Sequence, residues 1–407
     1  MKTVLRRGTA LIGAGLAAGA WTPIAAAEEP IKLSVGGFFR EAYMVVLDDD
    51  EFFEPGKDRA EDGFFNDAEI HFSGRTVLDN GLEVGARVEL EGETDGGGGM
   101  DPGDQIDEAW VYFAGGFGEI RVGSDDDALA GSCLLPPGGT SNFSAFSPNQ
   151  WGANAFSPVT NSACTGVDDE ADAQKILYIS PVFAGFQLTL SYTPNPDRET
   201  HIDGVGPHVG MPSKFIGDGQ SNYDAAAYLT YSYEGRGWGL DWGGGASFEG
   251  EIDDVEGDFA DTHFKNQDFY QTALNVNLGR FSVGGAFEYY NDIDGSSFSF
   301  FGSKFTSEHD AWVAGGGVAY LYNAWTFGAQ YSYRKDMFKF YGTSDNARED
   351  HVQQRAVVTA AYDIGPGITL DGEVGYTWRD QDPEDTSFFS DDDYSGLELG
   401  IGTALRF

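Results

Sequence analysis

Residues 69–91 read EIHFSGRTVLDNGLEVGARVELE, and their pattern decides the fold. Apolar and polar side chains alternate from Glu69 to Leu78, and alternate again from Leu82 to Glu91. Between the two halves stands Asp79-Asn80-Gly81, which is a strong tight-turn signal. A period of two on both sides of such a turn predicts a β-hairpin with one apolar and one polar face.

The same rhythm recurs along most of the chain. Seven such hairpins are joined to one another by long polar loops; Ile31–Val46 is predicted as a strand before them and Tyr394–Phe407 as a strand after them. Leu47–Asp67 is predicted as the first long loop. Both termini then lie on the short-turn side, so the first and last of the sixteen strands can pair and leave no open edge.

Residues 1–27 are predicted to be a cleaved signal peptide. Lys2, Arg6 and Arg7 form a basic start, Ala10–Ala20 is a short apolar core, and Ala25-Ala26-Ala27 provides a small-residue cleavage site. No other stretch is apolar for long enough to form a membrane-spanning helix. The exported chain, residues 28–407, is therefore either soluble or a closed barrel, the other structure that satisfies its backbone in lipid.

The loops and the aromatic residues favour the barrel. Short turns on one rim, long loops on the other and an even strand number are typical of an outer-membrane barrel. Amphipathic rings also gather beside the short turns, where a girdle at the headgroup level would place them: Tyr231, Tyr233, Trp238, Tyr320, Tyr322, Trp325 and Tyr362. The predicted fold is all-β, a 16-stranded antiparallel transmembrane β-barrel wide enough to hold a water-filled channel.

One loop differs from all the others. Residues 124–173 carry both cysteines of the chain and show no sustained strand or helix period over about fifty residues. Structureless segments of this length are rare in compact domains and are usually functional or disordered. We expect the strands to form a wall and this loop to be what the wall encloses.

In this arrangement the chain resembles the general-diffusion porins of Gram-negative outer membranes, especially the alphaproteobacterial type. The resemblance rests on GGFGEIRVG (Gly115–Gly123) before the long loop, ILYISPVFAGFQLTLSYTP (Ile176–Pro194) after it, and a closing strand that ends in Phe407. It implies a homotrimer, a third loop folded into the pore as a constriction, and a C-terminal Phe407 recognised by the barrel-assembly machinery. It also implies that Gly92–Asp104 latches onto a neighbouring subunit.

The arginines that face inward by parity fall on strands near the two ends of the sequence. Closure of the barrel would bring them into one arc, opposite an acidic loop. The expected basic wall is Arg40, Arg75, Arg87, Arg121, Arg334 and Arg355, with Arg379 close to the rim. The expected acidic residues of the loop are Asp125, Asp126, Asp127, Asp168, Asp169, Glu170 and Asp172. A basic arc opposite an acidic loop would create a transverse electric field across the pore, and a field of this kind selects ions. The alternative is that each arginine pairs with a lumen carboxylate such as Glu69, Glu89 or Glu373.

The formal net charge of −42 indicates a preference for cations and speaks against nucleic acid as a partner. Acidic runs in the other long loops fit a solvated face or divalent bridging to lipopolysaccharide. We predict no cofactor and no metal site, while calcium at the acidic loops is left open. Cys133 and Cys164 are predicted to form a disulfide, since the protein is exported; closing a loop of this size would contribute about 3–4 kcal/mol. Two free thiols are the alternative.

Catalysis is not expected. An outer-membrane hydrolase needs a nucleophile beside an oriented histidine. Five of the six histidines sit in or beside long loops, and His71 is expected to face the lumen alone. A solute-specific channel would need an ordered aromatic or basic track, for which only Phe38, Trp110, Tyr112 and Tyr290 are candidates. Passive diffusion of small hydrophilic solutes and ions is therefore the predicted function.

Overall fold

The computed structural model describes residues 30–48, 62–92, 106–146, 173–194, 222–251, 263–264, 267–291, 296–300, 303–341, 346–384 and 394–407. All regular elements among them are β-strands. In this part of the chain no helix is long and apolar enough to cross a membrane.

Eighteen strands form one antiparallel sheet. They are β1 (Lys32–Asp48), β2 (Asp62–Val77), β3 (Glu83–Glu91), β4 (Ile106–Gly115), β5 (Gly118–Ser124), β6 (Gln174–Ile179), β7 (Phe186–Thr193), β8 (Asn222–Glu234), β9 (Trp238–Glu251), β10 (His263–Phe264), β11 (Gln267–Leu278), β12 (Phe281–Asn291), β13 (Ser296–Phe300), β14 (Ser303–Tyr322), β15 (Trp325–Tyr341), β16 (Asn346–Gly365), β17 (Ile368–Glu384) and β18 (Tyr394–Arg406).

Sixteen of these strands close into a barrel. Each pairs with its neighbours along the chain, and β1 pairs with both β2 and β18, so the wall has no free edge. The two remaining strands are short: β10 pairs with β13, and β13 also pairs with β14. The predicted fold, a closed antiparallel barrel of sixteen strands, is confirmed.

Several strands are longer than predicted. The predicted loop Leu47–Asp67 is wrong for residues 62–67, which pair with β1 from Val45↔Asp62 to Arg40↔Asp67. Strands β14 to β17 also continue beyond their predicted ends on the long-loop side. These extensions are rich in acidic and polar residues, which hide the period of two, whereas main-chain pairing to a neighbouring strand does not depend on side-chain polarity.

The barrel is apolar outside and polar inside. Large apolar side chains point outward and are exposed, as at Leu33 (83%) and Phe64 (73%). The inner face buries charged and polar side chains instead, including Glu288, Thr377 and Glu398. This is the polarity expected for a barrel that meets lipid on its outer surface.

Aromatic rings contact one another across neighbouring strands beside the short turns. The ring centroids are 4.9 Å apart in Tyr233–Trp238, 4.5 Å in Phe281–Tyr320 and 4.8 Å in Trp325–Tyr362. Rings with one polar end suit a boundary between hydrocarbon and water. The predicted aromatic residues therefore stand together at one rim of the wall.

Candidate functional site

The first part of the long loop after β5, residues 125–146, contacts inward-facing side chains of the wall; we call it the third-loop segment. Near β8 and β11, the Leu134 amide donates to Tyr228 Oη at 3.0 Å, and Gln271 Nε2 donates to the Leu134 carbonyl at 3.1 Å. Asn275 Nδ2 donates to the Leu135 carbonyl at 2.8 Å. Main-chain groups of the segment thus find their partners on wall strands.

The segment then contacts strands near the two ends of the sequence, β15 to β17 and β1. Gln330 on β15 donates to the Pro136 carbonyl at 2.9 Å, and Thr359 on β16 donates to the Gly138 carbonyl at 2.6 Å. Further bonds reach β17 and β1: Asn142 Nδ2 donates to Asp371 Oδ1 at 2.7 Å, and Arg40 donates to the Ser141 carbonyl at 3.1 Å. With Arg121 on β5, Lys175 on β6 and Ser191 on β7, residues 125–146 are bonded to side chains of nine wall strands.

Glycines on the inner face make room for these contacts. A Cβ added at Gly317 would overlap the Pro137 carbonyl, and one added at Gly328 would overlap the Gly138 carbonyl. Gly138 itself has a φ of 113°, a conformation that L side chains rarely adopt. The backbone of the segment lies directly against the backbone of β14 and β15 at this point.

Arg355 is an anchor for the segment. Its guanidinium donates to Glu373 Oε1 at 2.7 Å, to Glu398 Oε2 at 2.6 Å and to the Ser144 carbonyl at 2.6 Å. The residue is only 2% exposed, and both glutamates are buried with it. Arg355 therefore faces inward as predicted, but it lies beneath the segment and joins it to β17 and β18.

The other inward arginines are bonded to carboxylates as well. Arg40 contacts Asp67, and Arg87 contacts Glu89. Arg121 pairs with Glu119 at 2.6 Å and with Asp125 at 3.1 Å, and Arg334 pairs with Asp336 at 2.8 Å. These contacts are the individual arginine–carboxylate pairs of the alternative interpretation. That the arginines act together on ions, as one basic arc, stays a prediction.

Two further arginines have other surroundings. Arg75 stands beside the β2–β3 turn with 65% of its side chain exposed and its nearest carboxylate, Glu83, 4.0 Å away. Arg379 is 3.2 Å from Nδ1 of His351. Parity assigns both residues to the inner face but carries no information on their height along the barrel.

Three of the four predicted lumen aromatics contact an arginine. The guanidinium carbon of Arg121 lies 4.3 Å from the ring of Trp110, that of Arg40 lies 5.0 Å from Phe38, and that of Arg334 lies 5.8 Å from Tyr290. Tyr112, the fourth, donates to Glu83. The rings therefore help to position charged neighbours.

The acidic start of the segment is largely buried. Asp125 is bonded to Arg121, and Asp127 accepts from the amides of Leu129 and Ala130 at 2.7 and 2.6 Å. Burial raises the pKa of Asp125 and of Asp127, and burial beside Glu108 and the two other aspartates raises the pKa of Asp126 to about 8. Asp168, Asp169, Glu170 and Asp172 lie outside the described residues.

Several other predicted sites lie only partly within the described residues. Cys133 is disulfide-bonded, while Cys164 lies outside the described residues, so the pairing of these two stays a prediction. The signal peptide also lies outside them, and so does the predicted latch except for Gly92. Phe407 is 68% exposed, and its amide and carbonyl bond to Gly37. Its recognition by the barrel-assembly machinery stays a prediction.

Sequence reasoning missed some inner-face residues. Lys175 on β6 is buried and donates to the Asp125 carbonyl, although no lysine was expected in the basic wall. His71 was expected to be alone, but it contacts Glu69, Glu89 and Arg87. The available signal was register: Glu89 stands directly opposite His71 once the hairpin turn is placed.

Family and structural comparisons agree with this architecture. The Gram-negative porin family model matches residues 10–382. The chain belongs to the Gram-negative porin family. It is an outer-membrane channel protein, and family and fold indicate a channel rather than an enzyme. No curated protein is significantly similar in sequence to this porin.

Solved structures share the fold at low identity. The porin is 13% identical to outer-membrane-expressed OmpT of Vibrio cholerae, with a TM-score of 0.52 over 94% of this chain and 100% of the other. It is 12% identical to the outer membrane channel DcaP of Acinetobacter baumannii, with a TM-score of 0.50 over 93% and 97%. At these identities the likeness establishes the fold alone.

Proposed function

We propose that the protein forms a water-filled channel for passive diffusion of small hydrophilic solutes and ions, narrowed by residues 124–173. The observation that carries this proposal is the set of bonds from residues 125–146 to side chains of nine wall strands. A segment held to the inner surface at so many points reduces the open cross-section along its path. A barrel of sixteen strands leaves room for water beside it.

The inner charges support a preference for cations. Five inward arginines contact seven carboxylates: Asp67, Glu89, Glu119, Asp125, Asp336, Glu373 and Glu398. Further inward acids, among them Glu69 and Asp371, add to this excess. Because fixed charge in a low-dielectric passage concentrates counter-ions, the excess of carboxylate favours cations.

Reversal potentials in planar bilayers test this function. The purified barrel inserted under a salt gradient is expected to give stable channels with a reversal potential of cation sign. Graded sugars in the same bath report the size limit for solutes. Anion selectivity would contradict the charge argument, and saturation of the current by one solute would favour a solute-specific channel.

The assembly proposal follows from the family. We infer a homotrimer in the outer membrane, since a related structure, OmpT of Vibrio cholerae, is described in a trimer form. Outer-membrane lipid and lipopolysaccharide are the expected surroundings, and the barrel-assembly machinery is the expected insertion partner. Crosslinking of the detergent-extracted protein is expected to yield a three-chain species, and a one-chain product alone would contradict it.

A further inference from the structure

A group of metal-ligating side chains stands on the inner face of β2 and β3. His71 and Glu89 are direct cross-strand partners, and Glu69 precedes His71 by two residues on the same face. Side chains directly opposite in an antiparallel pair have Cβ atoms about 4.5–5.5 Å apart. The backbone register of the wall therefore brings the three side chains together independently of any loop.

The ligand atoms converge at the imidazole. His71 Nε2 lies 2.7 Å from Glu69 Oε2 and 3.0 Å from Glu89 Oε2. One ligand atom from each of the three side chains lies within 4.8 Å of the other two. Small movements that open these hydrogen bonds would leave a space lined by one nitrogen and two oxygens.

We propose that Glu69, His71 and Glu89 bind one divalent transition-metal ion, of which Zn²⁺ is the test case. One imidazole and two carboxylates form a three-ligand set that suits Zn²⁺ and similar ions, with water in the remaining position. Ca²⁺ and Mg²⁺ prefer oxygen ligands alone and gain little from the imidazole. His71 therefore distinguishes this site from an ordinary acidic cluster.

The charges around the site favour a cation. Glu108 lies within hydrogen-bonding reach of Glu89, and Asp107 adds negative charge near Glu69. Arg87 and, at Glu69, Arg40 oppose them. With Glu69 and Glu89 counted, the four carboxylates outnumber the two arginines. Bringing like charges together on a half-buried wall is costly unless a proton or a cation neutralises them.

Arg87 forms a hydrogen bond to His71 that competes with metal binding. Its Nη2 is 2.8 Å from His71 Nδ1, and because a guanidinium can only donate, the metal-free ring carries its proton on Nε2. Metal binding moves this proton to Nδ1, and Arg87 leaves Nδ1 while it keeps its contact to Glu89. Arg87 thus opposes the metal both as a charge and as a hydrogen-bond donor.

Calorimetric titration of untagged, folded protein in detergent with ZnCl₂ tests the site. Millimolar Ca²⁺ in the buffer occupies all-oxygen sites, so the remaining heat reports binding that needs nitrogen. The wild type is expected to show Ca²⁺-resistant binding. His71→Ala and Glu89→Gln should weaken it about tenfold or more, because even the loss of an outer-shell partner of a metal ligand lowers affinity by about 10- to 100-fold.

The control is another inward histidine. His309 lies 2.8 Å from Asp336, and among the described residues it has no second carboxylate placed to complete such a triad. His309→Ala should leave Zn²⁺ binding unchanged, whereas Arg87→Gln should strengthen it several-fold. Heat-modifiable migration in gels verifies that each variant is folded. Equal loss in His71→Ala and His309→Ala, or no Ca²⁺-resistant binding in the wild type, overturns the proposal.

The effect on current rests on the proposed channel function and is measured separately. Zn²⁺ added to single channels should reduce the wild-type current more than the His71→Ala current. Calorimetry needs no open channel, so binding without any current would contradict the channel and leave the site standing. Current without Zn²⁺ binding would contradict the site and leave the channel standing.

Discussion

Two arginine–glutamate clusters on the inner wall have similar chemistry and different surroundings. Arg355, with Glu373 and Glu398, is covered by the third-loop segment and is 2% exposed. Arg87, with Glu89 and His71, is not bonded to the segment, and a quarter of its side chain is exposed. Cover by one loop makes the first cluster a structural anchor, whereas Arg87 and His71 in the second cluster keep partly exposed side chains.

The largest expected effect comes from Arg355. Arg355→Met leaves two buried glutamates without their cation and removes the donor to Ser144, and breaking a buried ion pair costs about 3–5 kcal/mol. The temperature at which the folded band disappears in heat-modifiable gels should fall markedly. Arg87→Met is the matched variant of the second cluster and should lower it less, because Arg87 is partly exposed and water screens its ion pair. A similar shift in both variants would remove the distinction between the clusters.

A bulky side chain beneath the segment should displace it. Gly328→Val places carbon atoms where the Gly138 carbonyl now lies, so residues near Gly138 must move off β15. Single-channel conductance should change by a large fraction of its value, with more frequent switching. Gly365→Ala, where an added Cβ meets nothing within 4 Å, is the control. Unchanged conductance in Gly328→Val would place the segment outside the ion path.

Cation preference should rise with pH. Burial beside other acids raises the pKa of Asp126 to about 8, so this carboxyl is mainly protonated below pH 8 and gains its negative charge above it. The reversal potential should shift in the cation direction between pH 7 and pH 9. Asp126→Asn removes the titrating group and should flatten that shift. An equal shift in Asp126→Asn would assign it to other groups.

The smallest effect is expected at the rim. Arg75 is 65% exposed and 4.0 Å from Glu83, and exposed pairs contribute about 0–1 kcal/mol. Arg75→Ala should leave the gel transition within error of the wild type. Its reversal potential should also stay close to that of the wild type. A rise in cation preference as large as that of Arg121→Ala would return Arg75 to the constriction.

The barrel could be predicted from the sequence because its signals are local. Alternation with a period of two and turns such as Asp79-Asn80-Gly81 require only neighbouring residues, and they give the strand number, the inward parity of Arg121 and the closing pair β1–β18. Polar strand extensions such as Asp62–Ala68 were missed because their pairing is set by β1 rather than by their own pattern.

Burial on the inner wall could not be predicted in this way. Arg75 and Arg355 have the same parity, yet one is exposed beside a turn and the other is covered. The difference depends on the path of residues 125–146, whose partners Gln330 and Asp371 are about two hundred residues away in sequence. Local pattern carries no information on such contacts.

Polymer exclusion measures the narrowing directly. A variant that lacks residues 128–146, with Cys164→Ser to remove the remaining thiol, is compared with the wild type in planar bilayers containing polyethylene glycols of increasing size. The variant, shown to be folded by its gel migration, should admit larger polymers and conduct more current. Equal exclusion limits in the two proteins would contradict a channel narrowed by this segment.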